Sequence, residues 1–182
     1  IQEADRDTYE YCFKIFLMNI LNFGSILLLG LIFGCLLETI LFVIGFSVIR
    51  KQAGGYHAGT PLRCYLISVA SYVICMFLLY LIPSAWTKFM NLTAIIIAFI
   101  IIWRLAPVAD SNKPFSIGEY ERYKRNSRQI ISILLMCNLI AYFIGFINIQ
   151  VFMLPLNIGV LFAAVSLFSA KLLKKACSYS GR

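Results

Sequence analysis

A chain of 182 residues that is 61% hydrophobic and 13% charged, with a mean hydropathy of +0.86, carries more apolar side chain than a water-soluble fold of this size can hide, since soluble domains are about half apolar and about a quarter charged. The surplus must face lipid, which excludes an ordinary soluble enzyme or binding module. The net charge of +8 would point to nucleic acid in a soluble protein; here Lys and Arg gather between apolar runs, as they do in cytoplasmic loops, and no nucleic-acid partner is expected.

A helix crossing a hydrocarbon core about 30 Å thick needs roughly 17–25 apolar residues. Taken in chain order, such runs are 12–34, 36–49, 65–82, 89–103, 129–149 and 151–170. None reads as a removable signal peptide. Ile1 is not a start methionine, so the natural chain is expected to begin earlier. The runs 36–49 and 89–103 are short, hence tilted, re-entrant or extended past their polar ends. The expected fold is all-α: a polytopic integral membrane protein of about six apolar helices, five or six spanning and one interfacial or re-entrant, in a single domain over 1–182. The first run is ambiguous. Tyr9, Cys12, Phe13, Phe16, Leu17 and Ile20 lie at helical spacing opposite Asp7, Glu10 and Lys14, which suits an interfacial amphipathic helix as well as the first of two crossings; we take two crossings as the expectation.

Between these runs the positive charge alternates. Loop 50–64 holds Arg50, Lys51 and Arg63, loop 104–128 holds Arg104, Lys113, Arg122, Lys124, Arg125 and Arg128, and the tail adds Lys171, Lys174, Lys175 and Arg182. The turns at 83–88 and 148–153 contain only Lys88. Both large loops and the C-terminus are therefore expected in the cytoplasm. The six cysteines are scattered and give no disulfide framework; Cys35, Cys75 and Cys137 sit in apolar runs, where free Cys behaves as a small hydrophobe, and a cytoplasmic Cys64 would stay reduced.

The loop Arg50-Lys51-Gln52-Ala53-Gly54-Gly55-Tyr56-His57-Ala58-Gly59-Thr60-Pro61-Leu62-Arg63-Cys64 contains the only histidine of the chain, seven residues before a cysteine. A Cys–His pair suits a thiol nucleophile, because imidazole takes the thiol proton and returns it to a leaving amine. Thr60-Pro61 reads as a helix start, N-cap then first position, which puts Cys64 in a first turn where free amides, the helix dipole, Arg63 and Lys51 all favour thiolate. One continuous helix would hold His57 about 10 Å from Cys64 along its axis; Gly54, Gly55, Gly59 and Pro61 favour a bent loop that can bring them together. The plainer reading stays open on these residues alone: His57 as an interfacial polar group and Cys64 as a packing residue. One His and one Cys fall short of a metal site, the glycines lack the Gly-Lys-Ser/Thr of a phosphate loop, and no cofactor is expected.

Arg50, Gly55, His57 and Cys64, spaced R-x4-G-x-H-x6-C, together with Ala106-Pro107 and Lys113-Pro114 in the next basic loop, resemble the signature of the accessory gene regulator B (AgrB) family. The order and lengths of the apolar runs agree over nearly the whole chain. The resemblance implies a membrane cysteine endopeptidase of Gram-positive quorum sensing, in the cell membrane, acting on an AgrD-type precursor peptide. Such proteins remove the precursor's C-terminal part, hold the new carboxyl end as a thioester, and allow an internal Cys or Ser of the peptide to close a thiolactone or lactone ring. Carried over, Cys64 is the nucleophile and His57 the general base and acid, while Arg50, Gly55, Lys113 and Pro114 shape the site or bind substrate. Phe115 follows the Lys-Pro pair where relatives commonly have Ile or Leu.

Other features carry plainer alternatives. Lys113 and the cations of 122–128 can attract anionic membrane lipid, hold an acidic region of a precursor, or simply mark the cytoplasmic side. Glu38 is a functional candidate if it lies mid-membrane and costs little if a turn at 34–35 puts it near the surface, the reading we prefer. Gly30 and Gly34 form a GxxxG stretch that serves internal packing or a homodimer. Asn91-Leu92-Thr93 fits a glycosylation pattern that its place beside a span discounts. The rival to an enzyme is a small peptide transporter or exporter subunit, which would usually show paired intramembrane charges or matched broken helices; neither is visible.

Overall fold

The computed structural model describes residues 3–54, 60–108, 118–145 and 147–180. The named elements are all helices: α1 (Glu3–Ile32), α2 (Leu36–Ala53), α3 (Pro61–Leu81), α4 (Thr87–Leu105), α5 (Glu119–Ile144) and α6 (Ile147–Ser180), with a 3-10 turn at Ser84–Trp86 leading into α4. Four stretches are long and apolar enough to cross a membrane, Leu62–Leu81, Ser84–Leu105, Glu119–Ile144 and Asn148–Leu172, and Phe16–Ile32 is a shorter apolar one. The chain is an all-α polytopic membrane protein, as its composition requires.

Helix ends fall where local chemistry puts them. The run 89–103 grows into the 19 residues of α4. The run 36–49 grows into α2, whose last turn carries Arg50 and Lys51, cations that suit the negative end of the helix dipole. Helix α5 begins ahead of its apolar run, with Glu119 and Glu121 in the first turn, where carboxylates complement the positive end. It stops before 149, at Gly145, whose N–H bonds the Ala141 carbonyl at 3.3 Å. Pro155 lies inside α6 and has no N–H to give the preceding turn.

Consecutive helices reverse direction, so the turns near 34, 83 and 146 share one end of the bundle, and the segments leaving Gly54 and Val108 share the other. In lipid, helices gain nothing from leaving water and associate through close fit and polar bonds. Helices α2 and α6 fit closest. Gly45 lies against the Leu156 carbonyl and Gly159 against the Phe42 carbonyl, each so near that a Cβ would overlap the oxygen. Toward the 54/108 end, Ile49 and Ala53 of α2, Ala98 and Ile102 of α4, Ile131 of α5 and Ala163, Ala164 and Leu167 of α6 make the main core.

Helices α1 and α3 stand outside that core and join it through Ile26, Phe42 and Tyr72. The Tyr72 hydroxyl lies 2.6 Å from Thr39 Oγ1, and Ser25 Oγ lies 3.0 Å from the Tyr65 hydroxyl. The GxxxG stretch is divided between two tasks within the chain: Gly30 packs on Thr39, and Gly34, at φ 69, makes the α1–α2 turn. Glu38 falls in the first turn of α2, beside that turn rather than midway along the helix.

A chain of buried amides ties α4, α5 and α6. Asn157 donates to Asn91 Oδ1 at 2.8 Å and to Asn138 Oδ1 at 2.6 Å, Asn138 donates back at 3.1 Å, and Asn91 donates to Gln150 Oε1 at 3.1 Å and its carbonyl at 2.7 Å. Asn91 is 1% exposed, so its glycosylation pattern has a packing cause. Each amide left unmatched in hydrocarbon would cost several kcal/mol, which makes this cluster a strong constraint on helix register.

The α2–α6 fit yields a stability prediction. Gly159→Ala should lower the thermal midpoint in detergent through about 1–3 kcal/mol of overpacking, while Gly24→Ala, where nothing lies within 4 Å of the added carbon, should leave it unchanged or slightly raised. Equal shifts for the two variants would show that the close approach carries no constraint.

Candidate functional site

The candidate nucleophile sits where a helix start was expected. Thr60 is extended (φ −133, ψ 146), Pro61 takes the first position of α3, and Thr60 Oγ1 accepts from the Arg63 N–H at 3.4 Å. The Cys64 N–H bonds the Thr60 carbonyl at 3.1 Å. Thr60 thus caps the Arg63 amide; Pro61 has no N–H to satisfy, and the Leu62 amide is the one first-turn donor left without an intrahelical partner. Cys64 is a free thiol and half-buried, as a reactive cysteine must be if a substrate is to reach it. Cys35, Cys75 and Cys137 are also free, but they lie within or beside the apolar helices and none follows a capped start.

His57 and Gly55 lie outside the described residues, as do Lys113 and Pro114. What the structure does describe is the root of each segment that carries them. Ala53-Gly54 and Val108 run side by side as a parallel bridge, with the Val108 N–H donating to the Ala53 carbonyl at 3.0 Å. Gly54 adopts φ 78, and a Cβ there would strike the Val108 carbonyl. Only glycine permits both the left-handed backbone and the approach. Below the bridge, Ala53 and Ala106 are buried against the main core. The two stretches that carry the motifs therefore leave the bundle from one point, which their separation in sequence does not reveal.

Arg50 is brought to the same region by the last turn of α2. Its Nη1 donates to Ser166 Oγ of α6, and its guanidinium lies 5.9 Å from the centroid of the Phe46 ring. These contacts suit a residue that fixes the α2 end against α6, in keeping with a shaping role. Asn126 of α5 donates to Gln52 Oε1 at 3.4 Å, so α5 also bears on the base of the loop. Sequence reasoning missed Gln52, Asn126 and Val108, none of which stands out by type. Among the described residues no three His, Cys, Asp or Glu side chains group as metal ligands.

The model of the family described as "Accessory gene regulator B" matches residues 1–169. The chain is 24% identical to a putative AgrB-like protein of Clostridium perfringens strain SM101, over 89% of this chain and 80% of that one. It is 29% identical to a putative AgrB-like protein of Listeria welshimeri over 91% and 79%, and 26% identical to protein FsrB of Enterococcus faecalis over 71% and 54%. No solved structure matches.

The bridge at Gly54 can be tested without any assay of activity. Gly54→Ala should raise amide hydrogen exchange at Val108 by about tenfold or more, since each 1.4 kcal/mol of lost opening energy is a factor of ten. Exchange at Ala141 and Ala163, remote from the bridge, should not change. Val108 protection equal to that of the parent chain would show that the pairing is not maintained by glycine.

Proposed function

Because the chain belongs to the accessory gene regulator B family and so has a role in that quorum-sensing system, we propose that it is a membrane-embedded cysteine endopeptidase that cuts an AgrD-type precursor peptide and passes its new carboxyl end on to cyclisation. The observation that carries this reading is the capped start of α3 at Thr60, with the accessible free thiol of Cys64 in its first turn. A helix start turns the positive end of its dipole toward negative charge that develops on sulfur during attack. His57 is three links from Gly54 and three from Thr60, so chain connectivity keeps its Cα within about 11 Å of both, and the loop that bears it springs from a fixed root.

The chemistry proceeds in two acyl transfers. Cys64 Sγ, its proton taken by His57, bonds to the scissile carbonyl carbon; the C–N bond breaks, and His57 returns the proton to the departing amine. The precursor's N-terminal part is then a thioester on Cys64. Its own internal thiol, giving its proton to His57, attacks that carbonyl; the bond between the acyl carbon and Cys64 Sγ breaks, Cys64 takes the proton back, and a thiolactone ring closes. A thioester-to-thioester exchange changes free energy little, whereas hydrolysis would discard the acyl energy. An interfacial site that limits water slows that competing loss. Arg50 and Gly55 shape the loop, and Lys113 and Pro114 contribute from the neighbouring segment. The segments 55–59 and 109–117 lie on the cytoplasmic side, supported by the alternation of positive charge, in the cell membrane of a Gram-positive bacterium. A two-copy assembly is compatible with this reading and unnecessary to it.

Purified protein in lipid should cut a candidate precursor, and Cys64→Ala should abolish cleavage while Cys12, Cys35, Cys75, Cys137 and Cys177 remain. His57→Ala should slow it about 10²–10⁴-fold. A precursor whose ring-forming Cys is replaced by Ala should accumulate on the enzyme as an adduct that maps to Cys64 and is released by neutral hydroxylamine. Normal cleavage by the Cys64 variant sinks the thiol mechanism, and free linear peptide with no early adduct sinks the covalent step.

The orientation has its own test. Single cysteines placed near Gly54 and at Lys113 in a Cys-free background should resist an impermeant thiol reagent in intact cells and react after permeabilisation. Ready labelling of either before permeabilisation would reverse the topology.

A further inference from the structure

Between α4 and α5, at the end of the bundle near the Gly54–Val108 bridge, lies an open groove of about 720 Å³. Its mouth is cationic. Lys124, Arg125 and Arg128 line it, against the single carboxylate of Glu121, which pairs with Lys124 at 3.2 Å. Arg128 is held in place rather than waving in solvent: its guanidinium lies 4.8 Å from the centroid of the Trp103 ring, and its Nη2 donates to the Trp103 carbonyl at 3.2 Å. Its Nε is buried, so what the side chain offers at the mouth is its positive charge and the outer edge of the guanidinium. Trp103 is the kind of side chain that settles at the level of lipid headgroups.

Past Ile133, which lines the groove, the exposed surface of α5 and α4 is apolar. Ile133, Met136 and Ile140 follow one another along one face of α5, and Ile100 and Ile96 descend α4 from Trp103, all exposed in the structure. From Arg128 to Ile140 the α5 face runs about 18 Å at 1.5 Å per residue, slightly more than one leaflet of a core about 30 Å thick. Two elements are thus in register: a net positive, aromatic-lined mouth at one level and an apolar trough beneath it. Free phosphate or an acidic peptide would use only the first, and a neutral lipid would leave the arginines uncompensated.

We infer that the α4–α5 groove is a binding site for an anionic phospholipid, its phosphate held by Arg128, Arg125 and Lys124 and one acyl chain lying along Ile133, Met136 and Ile140. The site is independent of the proposed peptidase chemistry. It bears on that chemistry's surroundings, because Trp103 lies just ahead of Ala106 and Val108, and Asn126 of α5 reaches Gln52. An occupied groove would hold α4 and α5 at a set spacing beneath the bridged loop roots.

Trp86 and Trp103 are the two tryptophans, so Trp86→Phe leaves Trp103 as the sole fluorescent reporter. The full chain with this change is reconstituted in phosphatidylcholine vesicles containing increasing fractions of brominated-chain phosphatidylglycerol, and in the converse mixture with the bromine on phosphatidylcholine. Half-maximal quenching of Trp103 should need a brominated phosphatidylglycerol fraction about tenfold lower or less. Adding Lys124→Gln and Arg125→Gln, which leave the Arg128–Trp103 contacts in place, should remove most of that selectivity, each cation near the surface being worth up to about fivefold, with unchanged helical circular dichroism. Arg128→Lys, which keeps the charge but loses the planar fork, should also weaken it. Neither inorganic phosphate nor hexaglutamate at millimolar concentration should restore the fluorescence. Equal quenching by the two lipids, or selectivity indifferent to the double change, overturns the inference. Relief by phosphate overturns it in favour of a free-anion site, and relief by hexaglutamate alone in favour of an acidic-peptide site.

Discussion

Helices α2 and α6 run the same way and meet backbone to backbone, because Gly45 faces the Leu156 carbonyl and Gly159 faces the Phe42 carbonyl. That approach sets the position of everything at the 54/108 end. It lets Ile49 and Ala53 reach Ala163, Ala164 and Leu167, brings Arg50 to Ser166, and so fixes where α2 ends. Gly54 then lies beside Val108 because α4 packs on the opposite side of α6 and delivers Ala106 to the same core. The root of the histidine-bearing loop is thus located by glycines that lie far from it along the helix.

Helices α4 and α5 are set by a different force. Helix α4 also brings the small Ala98 into the core with Ala163 and Ala164, but Asn91, Asn138, Asn157 and Gln150 have no water to turn to. In a membrane the alternative to a matched amide is an unmatched one, although interhelical bonds measured individually are worth only about 0.6 kcal/mol on average. Their value here lies in uniqueness of register. Sliding α5 by one turn would take Asn138 Oδ1 from its Asn157 donor and leave Nδ2 only the Leu134 carbonyl of its own helix, and the fit that pure Leu and Ile would allow at several offsets is reduced to one. The same register brings Trp103 under Arg128 and Gln52 within reach of Asn126.

Much of this was legible in the residues. Composition gave the membrane class, and the apolar runs gave six helices. Thr60-Pro61 announced the start of α3 because capping is a local matter of hydroxyl and amide. Helix ends were less legible where polar residues carry a helix on: Arg50 and Lys51 remain helical, and Glu119–Arg128 form helical turns that a search for apolar runs cannot see. The pairing of Gly54 with Val108 was hidden, since it depends on where α2 and α4 end after packing on α6. The amide cluster left a signal that was passed over: Asn138 and Asn157 stand inside apolar runs, where a polar side chain without a partner is expensive. The likeness of the loop to the family signature survived because it rests on residue type and spacing, which need no tertiary knowledge.

Two hydroxyl contacts tie α3 to the bundle: Tyr72 to Thr39 of α2, and Tyr65, next to Cys64, to Ser25 of α1. Tyr72 is the only buried residue among those described in this helix, while Leu66, Ile74, Phe77 and Leu78 are open to lipid. A rod seated in the core at one place, and tied elsewhere to a peripheral helix, turns as a lever when that helix turns with it. Cys64 stands eight residues from the pivot, about 12 Å along the axis, so a tilt of about 10° about Tyr72 carries the thiol about 2 Å sideways. Acyl transfer is sensitive to misplacement on the scale of about 1 Å, so in the proposed reaction the two tyrosine hydroxyls would set the aim of the thiol. The segment leaving Gly54 does not share those anchors, being rooted in the core. Were Cys64 and His57 to act together as proposed, a tilt of α3 with α1 would change their separation, and the thickness and tension of the surrounding bilayer would bear on the reaction through that angle.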